Sequence, residues 1–424
     1  MALSQILCVS VAPWQILRVS VAPGQILRVS VALWQNPLCL SSMNEDKASR
    51  YHRLKRTADA LALVWGAVLL TGLLASGATL RLRTTAGALA PGAAGSLASR
   101  FTGIVIYVIL LSLLNEVGSF PLSFYSGFVL ERRYGLSTER LSAWLRDQAK
   151  SLALGLALAV PAAAIVYSLI AWSPERWWLI AGLVFAGVVV GLTNLAPVLV
   201  LPLFYRVKPL DRAALRGRLL TLAERAGARV VGAYEWGLAA KTRKANAALA
   251  GLGATRRILV SDTMLAEYSE DEIEVVLAHE LAHHVHGDIW KGIAFECGLI
   301  FAGFYLASRV LRALAAAVGL QSVDDIAGLP LLLLAAAAVS LVMLPVAHAM
   351  SRGFERRADE FALRLTRNPG AFISAMKRLG AQNLAEEHPS QIVQWLFYSH
   401  PPIRDRIAAA QAFARGGDPR STLG

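Results

Sequence analysis

The chain alternates between long apolar runs and short connectors rich in basic residues. The apolar runs lie at roughly 61–80, 103–123, 152–173, 177–205, 292–318 and 328–350. Each is near or above the ~20 residues that an α-helix needs to cross the hydrocarbon of a bilayer. The pattern therefore predicts a mainly α, polytopic membrane protein with about six spans. The fourth run is overlong and contains Pro197 and Pro202, which predict a kink or a split into two pieces. Trp177 and Trp178 open it and read as an anchor at the membrane interface. Two stretches, 206–291 and 351–424, are more polar. The predicted organisation is a four-span N-terminal membrane domain at 43–205, then a second domain at 206–424 interrupted by a membrane hairpin at about 292–350. Within the second domain, KANAALAGLGATRRILVSD at 244–262 alternates into two short strands about Gly251-Leu252-Gly253, a β-hairpin pattern.

Residues 1–42 do not fit this scheme. SQILCVSVAP, WQILRVSVAP and GQILRVSVAL repeat with a period of ten, which is no solenoid period. The segment also lacks the basic n-region and single apolar core of a signal peptide. Met43 opens MNEDKASRYHRLKR directly before the first span, so the expected natural start is Met43, with a repetitive leader before it that is not native or is disordered.

Composition agrees with the apolar pattern. Hydrophobic residues make up 55% of the chain and charged ones only 17%, which excludes an ordinary soluble domain. The formal net charge is +13, but its placement points to a membrane rather than to nucleic acid. Lys47, Arg50, Arg53, Lys55 and Arg56 precede the first span, and Arg132, Arg133, Arg140, Arg146 and Lys150 follow the second. Basic residues gather on the cytoplasmic side, and anionic lipid there accommodates the surplus. Six crossings then put both termini and both polar segments in the cytoplasm, as expected for a bacterial inner-membrane protein. The loop at 81–100, with Arg81, Arg83 and Arg100, runs against this rule. Cys8, Cys39 and Cys297 form no disulfide framework, and Cys297 reads as a small buried apolar residue.

The chemistry centres on VVLAHELAHHVHGD at 275–288. His279 and His283 are four residues apart, so on a helix both imidazoles share one face and can reach one zinc ion. Glu280, one step round, can reach a water at the open coordination position and suits a general base. With 8 His and 29 acidic residues in 424, chance yields roughly 0.01 such motifs per chain, so a third ligand is needed to make the case. SRGFERRADEFAL at 351–363 supplies Glu355, with Asp359 one turn on to hydrogen-bond a ligand histidine. Metzincin spacing would need Gly and His where His286 and Ile289 stand, which leaves a glutamate-liganded, gluzincin-like site. His284 and His286 point away from the metal face. Asp288, Glu116 near the end of the second span, and His348 before Glu355 are further polar positions without an assigned part.

These motifs resemble the type I CAAX prenyl proteases, integral-membrane zinc peptidases with HExxH and a downstream ExxxD. The likeness extends through PLSFYSGFVLERRYGLS (121–137), WLRDQAKS (144–151), LAPVLVLPLFYRVKPL (195–210) and YSHPPIRDRI (398–407), covering roughly 100–410. The resemblance implies a cytoplasmic catalytic domain with one zinc per chain held by His279, His283 and Glu355, with Glu280 as base and Asp359 as their support. It implies that His400 and Arg406 stabilise the oxyanion, although Arg406 could instead pair with an acid, and that Asn246 aligns substrate on an exposed strand edge. Eukaryotic members have seven spans around a water-filled chamber, against six runs here. The expected partners are a peptide or protein substrate, including lipid-modified or membrane-embedded ones, and the bilayer itself. Heat-shock membrane proteases share HExxH but lack the long N-terminal block. Quality control of membrane proteins is thus the alternative function, and a non-catalytic scaffold or transporter with a structural zinc is a third.

Overall fold

The computed structural model describes residues 47–91, 96–195, 199–251 and 256–416. The leader at 1–42, the Met43 start, and Leu252 and Gly253 of the expected hairpin turn lie outside the described residues. Among the described residues, six helices are long and apolar enough to cross a bilayer, the number the apolar runs predict.

The first, α1 (Lys47–Ala75), begins well before its apolar run and stops short of residue 80. Gly77 adopts a left-handed φ of 67°, open to glycine at no steric cost, and turns the chain into α2 (Ala78–Leu89). The 12 residues of α2 reach only about 18 Å, too short to span. Next come α3 (Leu97–Phe124), prolonged through a π-turn at Tyr125–Val129 and a last turn at Leu130–Arg133, then α4 (Leu141–Trp172) and α5 (Trp177–Leu195). Among the described residues, the fourth apolar run forms two helical pieces. It resumes after α5 as a four-residue helix, Leu201–Phe204, with Pro202 in its first turn, while Pro197 lies outside the described residues. Trp177 is no interface anchor: it is 1% exposed and packs edge-on against Phe304 with ring centroids 5.8 Å apart.

The chain then builds a four-stranded sheet from β1 (Val207–Pro209), β2 (Gly232–Trp236), β3 (Ala247–Ala250) and β4 (Arg257–Ser261). The order is β1-β2-β4-β3, with β3 antiparallel to β4 in the register Ala247↔Val260 and β2 parallel to β4. The expected hairpin is therefore the β3–β4 half of a larger sheet. Helix α6 (Ala213–Arg225) lies between β1 and β2 in sequence and buries Leu215, Leu219 and Leu222, one apolar stripe at helical spacing.

Helix α7 (Glu270–Val285) carries the HELAH run. Ser269 and Glu272 close a reciprocal capping box at its start, satisfying two backbone donors that the helix leaves unpaired. The helix is buried on nearly every side, with Ile273, Leu277, Ala278, Leu281 and Ala282 among its core residues, because the sheet and several helices enclose it. Gly287, at φ 65°, breaks it from α8 (Asp288–Leu314). With α9 (Leu329–Thr366), α8 forms the membrane hairpin. Helix α9 is 38 residues long, about 57 Å, so it crosses a bilayer and continues as a rod to pack against α7. The chain ends in α10 (Pro369–Gln382), the short α11 (Gln391–Phe397) and α12 (Ile403–Ala414).

The loop that ran against the charge rule has a structural explanation. Arg83 pairs with Asp325, and Arg100 pairs with Asp324 at 2.7 Å. Arg83 and Arg100 thus lie beside the 321–326 segment, and each of these two charges is matched by an aspartate.

Candidate metal centre

Helices α7 and α9 bring the predicted ligands together. His279 and His283 lie one turn apart on α7, rings nearly perpendicular with centroids 5.0 Å apart. Glu355 reaches them from α9, its Oε2 being 3.2 Å from His279 Nε2 and its Oε1 3.5 Å from His283 Nε2. One ligand atom from each of the three lies within 4.8 Å of the others. Donors 2.0–2.1 Å from a tetrahedral zinc stand about 3.3–3.4 Å from one another, so the carboxylate lies within reach of a metal shared with both imidazoles. Glu355 Oε2 is buried and makes no hydrogen bond of acceptable geometry, although His400 Nδ1 stands 2.8 Å away. Such an orphaned oxygen is costly unless a cation satisfies it. The donor set fits zinc.

Each histidine is oriented from behind. His279 Nδ1 is 2.8 Å from Asp359 Oδ1, and His283 Nδ1 is 3.2 Å from Asp288 Oδ2. A carboxylate on Nδ1 fixes the tautomer that leaves Nε2 free as a ligand, and both Nε2 atoms point to the shared centre. Asp359 is itself clamped by Arg406, whose Nε donates to Oδ2 at 2.8 Å and Nη2 to Oδ1 at 2.5 Å. Burial alone would lower the Arg406 pKa, but the Asp359 carboxylate outweighs it and holds the pKa above its ordinary value. Of the two parts open to Arg406, the geometry displays pairing with an acid.

The ligands behave as a cation site should. Burial works to lower the pKa of His279, yet the charge of Glu355 and the hydrogen bond to Asp359 leave it raised. His283, less deeply buried, is pushed up to about 10 because hydrogen bonds with Asp288 and Glu355 overcome desolvation. Clustered carboxylates thus stabilise positive charge where the two Nε2 atoms converge.

The remaining predicted residues surround this centre unevenly. Glu280 is half-buried, near enough for its charge to act on His283 and Arg406. His400 has a 36% exposed side chain and stands beside Glu355. Asn246 stands immediately before β3, its backbone N–H donating to Ser261 Oγ at 2.9 Å. Although β3 is the outermost strand, all its residues are buried and it lies beside α7, so the edge adjoins the catalytic helix instead of standing open to bulk solvent. His286 packs on Phe361, away from the ligands. Sequence reasoning left a supporting part for Asp288 open but unranked. The available signal was its place just past Gly287, where the end of α7 brings the chain back beside His283.

A three-ligand set of two HExxH histidines and a distant glutamate, on a helical bundle of six spans, defines a membrane metallopeptidase. Residues 40–206 match the model for the CAAX prenyl protease N-terminal region, described as five membrane helices, and residues 209–414 match peptidase family M48. An uncharacterized metalloprotease, YhfN of Bacillus subtilis, is 31% identical over 316 residues, 74% of each chain. The CAAX prenyl protease 1 homolog of Oryza sativa is 28% identical over 70% of each chain, and CAAX prenyl protease 1 of Saccharomyces cerevisiae is 27% identical over 71% of this chain and 70% of that one. In fold, the crystal structure of S. mikatae Ste24p matches 96% of both chains with a TM-score of 0.75 at 22% identity. The chain belongs to the CAAX prenyl protease family of M48 peptidases and is an integral-membrane zinc metalloendopeptidase.

Proposed function

We propose that one zinc ion is held by His279, His283 and Glu355, and that the enzyme cleaves peptide bonds at the cytoplasmic face of a bacterial inner membrane. Bound there, zinc would supply Lewis acidity to a water and to the scissile carbonyl. Glu280 takes the proton of the attacking water and later delivers it to the leaving amine. His400, the exposed donor beside Glu355, hydrogen-bonds the carbonyl oxygen as negative charge develops on it. Arg406 acts through Asp359 by fixing the His279 ring. Asn246, just before the β3 strand that adjoins α7, aligns the peptide beside the zinc ligands. The membrane domain is residues 43–205, and residues 206–424 form the catalytic domain around the hairpin.

The observation that carries this reading is the convergence of two carboxylate-oriented Nε2 atoms and an orphaned Glu355 oxygen. It also favours an enzyme over a structural zinc site, because structural sites are closed by four protein ligands, and the ligating group among the described residues has three. The relatives named as CAAX prenyl proteases support a lipid-modified C-terminal peptide as substrate. The test is cleavage of matched quenched-fluorescent peptides, with and without a farnesylated cysteine, by purified protein before and after chelation and zinc restoration. Chelator-sensitive, zinc-restored cleavage with preference for the farnesylated peptide is expected. Equal cleavage of both peptides would favour general membrane-protein turnover, and cleavage that survives complete metal removal would contradict the zinc mechanism.

A further inference from the structure

The first turns of α1 lie outside the catalytic domain in sequence, yet they touch the segments that lead to both Asn246 and His400. On one side, Tyr51 is 2% exposed and donates from Oη to Glu131 Oε1 at 2.5 Å. Glu131, in the last turn of α3, also pairs with Lys244 Nζ at 2.8 Å. Lys244 is two residues before Asn246 and the edge strand. Just upstream, the same connector is tied to the membrane domain through Thr242 Oγ1, which donates to Leu136 O at 2.8 Å, and through the Lys241–Asp147 pair.

On the other side, His52 and Arg56 share a helix face at i, i+4 spacing. His52 Nε2 donates to Leu384 O at 2.7 Å. Arg56 Nη1 donates to Glu386 Oε2 at 2.7 Å and to Tyr398 Oη at 3.3 Å, and Tyr398 Oη donates to the same Glu386 oxygen at 2.5 Å. Tyr398 is two residues before His400. This arm needs outside support, because α11 within it has no buried residue and Leu384 holds a positive φ of 49°, a strained conformation for leucine. Arg352 of α9 grips it from the far side through the carbonyls of Gln394 and Tyr398, at 3.0 and 2.7 Å.

We propose that the cytoplasmic end of α1, through Tyr51, His52 and Arg56, is a positioning element that sets the Asn246 edge strand and the His400 arm relative to each other. The membrane domain is thereby part of the catalytic apparatus as well as its anchor. None of these side chains touches the metal ligands, so the element acts on how substrate is held and its carbonyl met, leaving metal binding alone. The proposal rests on the reading that Asn246 and His400 face substrate.

The test measures zinc content, kcat and KM for the farnesylated reporter peptide in Arg56→Met, Lys244→Met, Asn246→Ala and His400→Ala. With zinc content at the wild-type level in all four, Arg56→Met should lower kcat on the order of tenfold with little change in KM. Lys244→Met should raise KM by about the same factor, since small displacements of catalytic groups cost rate steeply. A merely structural role would lower the yield of active protein without splitting kcat from KM. If Asn246→Ala and His400→Ala are impaired while Arg56→Met and Lys244→Met stay within about twofold of wild type, the positioning proposal fails and the substrate reading stands. If Asn246→Ala and His400→Ala themselves behave as wild type, both fall. Where Arg56→Met cannot be purified, the charge exchange Arg56→Glu with Glu386→Arg decides: recovery of kcat over Arg56→Glu alone supports the strut, and no recovery overturns it.

Discussion

The two ligand histidines are set by the acids behind them. Asp359 and Asp288 each meet an Nδ1 and leave Nε2 for the metal, so Asp359→Ala and Asp288→Ala should each weaken zinc affinity about 10- to 100-fold, measured by competition with a chromophoric chelator. Hydrogen bonds with Asp288 and Glu355 overcome desolvation and raise His283 to about 10. Around neutral pH, zinc must therefore displace a proton from His283, and raising the pH removes that competitor. Apparent zinc affinity should rise about tenfold per pH unit per proton released between pH 6 and 8; a flat profile would contradict the assignment. The grouping of His279, His283 and Glu355 was legible in sequence because helical spacing alone puts the histidines on one face, and a carboxylate on the other polar segment completes the set. Asp288 was not, because nothing in the sequence states that Gly287 turns the chain back towards His283. The Arg406–Asp359 clamp was open for the same reason, since the partner of a charge is a tertiary fact.

Among elements, the joint between α7 and α8 bears most directly on the site. Gly287 holds φ 65°, and an added Cβ would meet no atom within 4 Å. The cost of Gly287→Ala is therefore purely backbone, about 1 kcal/mol, readable as reduced thermal stability with zinc stoichiometry intact. At the other end of α7, Ser269→Ala removes half of a capping box and should cost about 1 kcal/mol. The number of spans could be read from the apolar runs, since a bilayer demands a fixed length of apolar helix. Their ends could not, because α1 and α9 extend into polar sequence well beyond hydrocarbon. The hairpin at 244–262 was visible through alternation about its turn, whereas β1 is too short for a local pattern to show it, and β1 and β2 pair only across the intervening α6.

At the scale of the molecule, the long α9 rod explains why Glu355 stands 72 residues beyond His283 (355 minus 283). The chain crosses the membrane and returns within that interval, and α9 carries its carboxylate out of the bilayer on a rigid element. The Arg83–Asp325 and Arg100–Asp324 pairs support placing that end of the bundle outside the cell. A membrane-impermeant maleimide applied to intact cells should label Ser322→Cys but not Arg216→Cys, other cysteines having been replaced; the reverse pattern would invert the topology. The central claim is that a water activated at His279, His283 and Glu355 and deprotonated by Glu280 cleaves peptides. Its most direct test compares purified wild-type and Glu280→Gln protein for zinc content and for cleavage of the farnesylated reporter peptide. Glu280→Gln is expected to keep one zinc per chain and lose at least about 10³-fold in kcat, whereas zinc-loaded Glu280→Gln protein that cleaves at the wild-type rate would contradict the account.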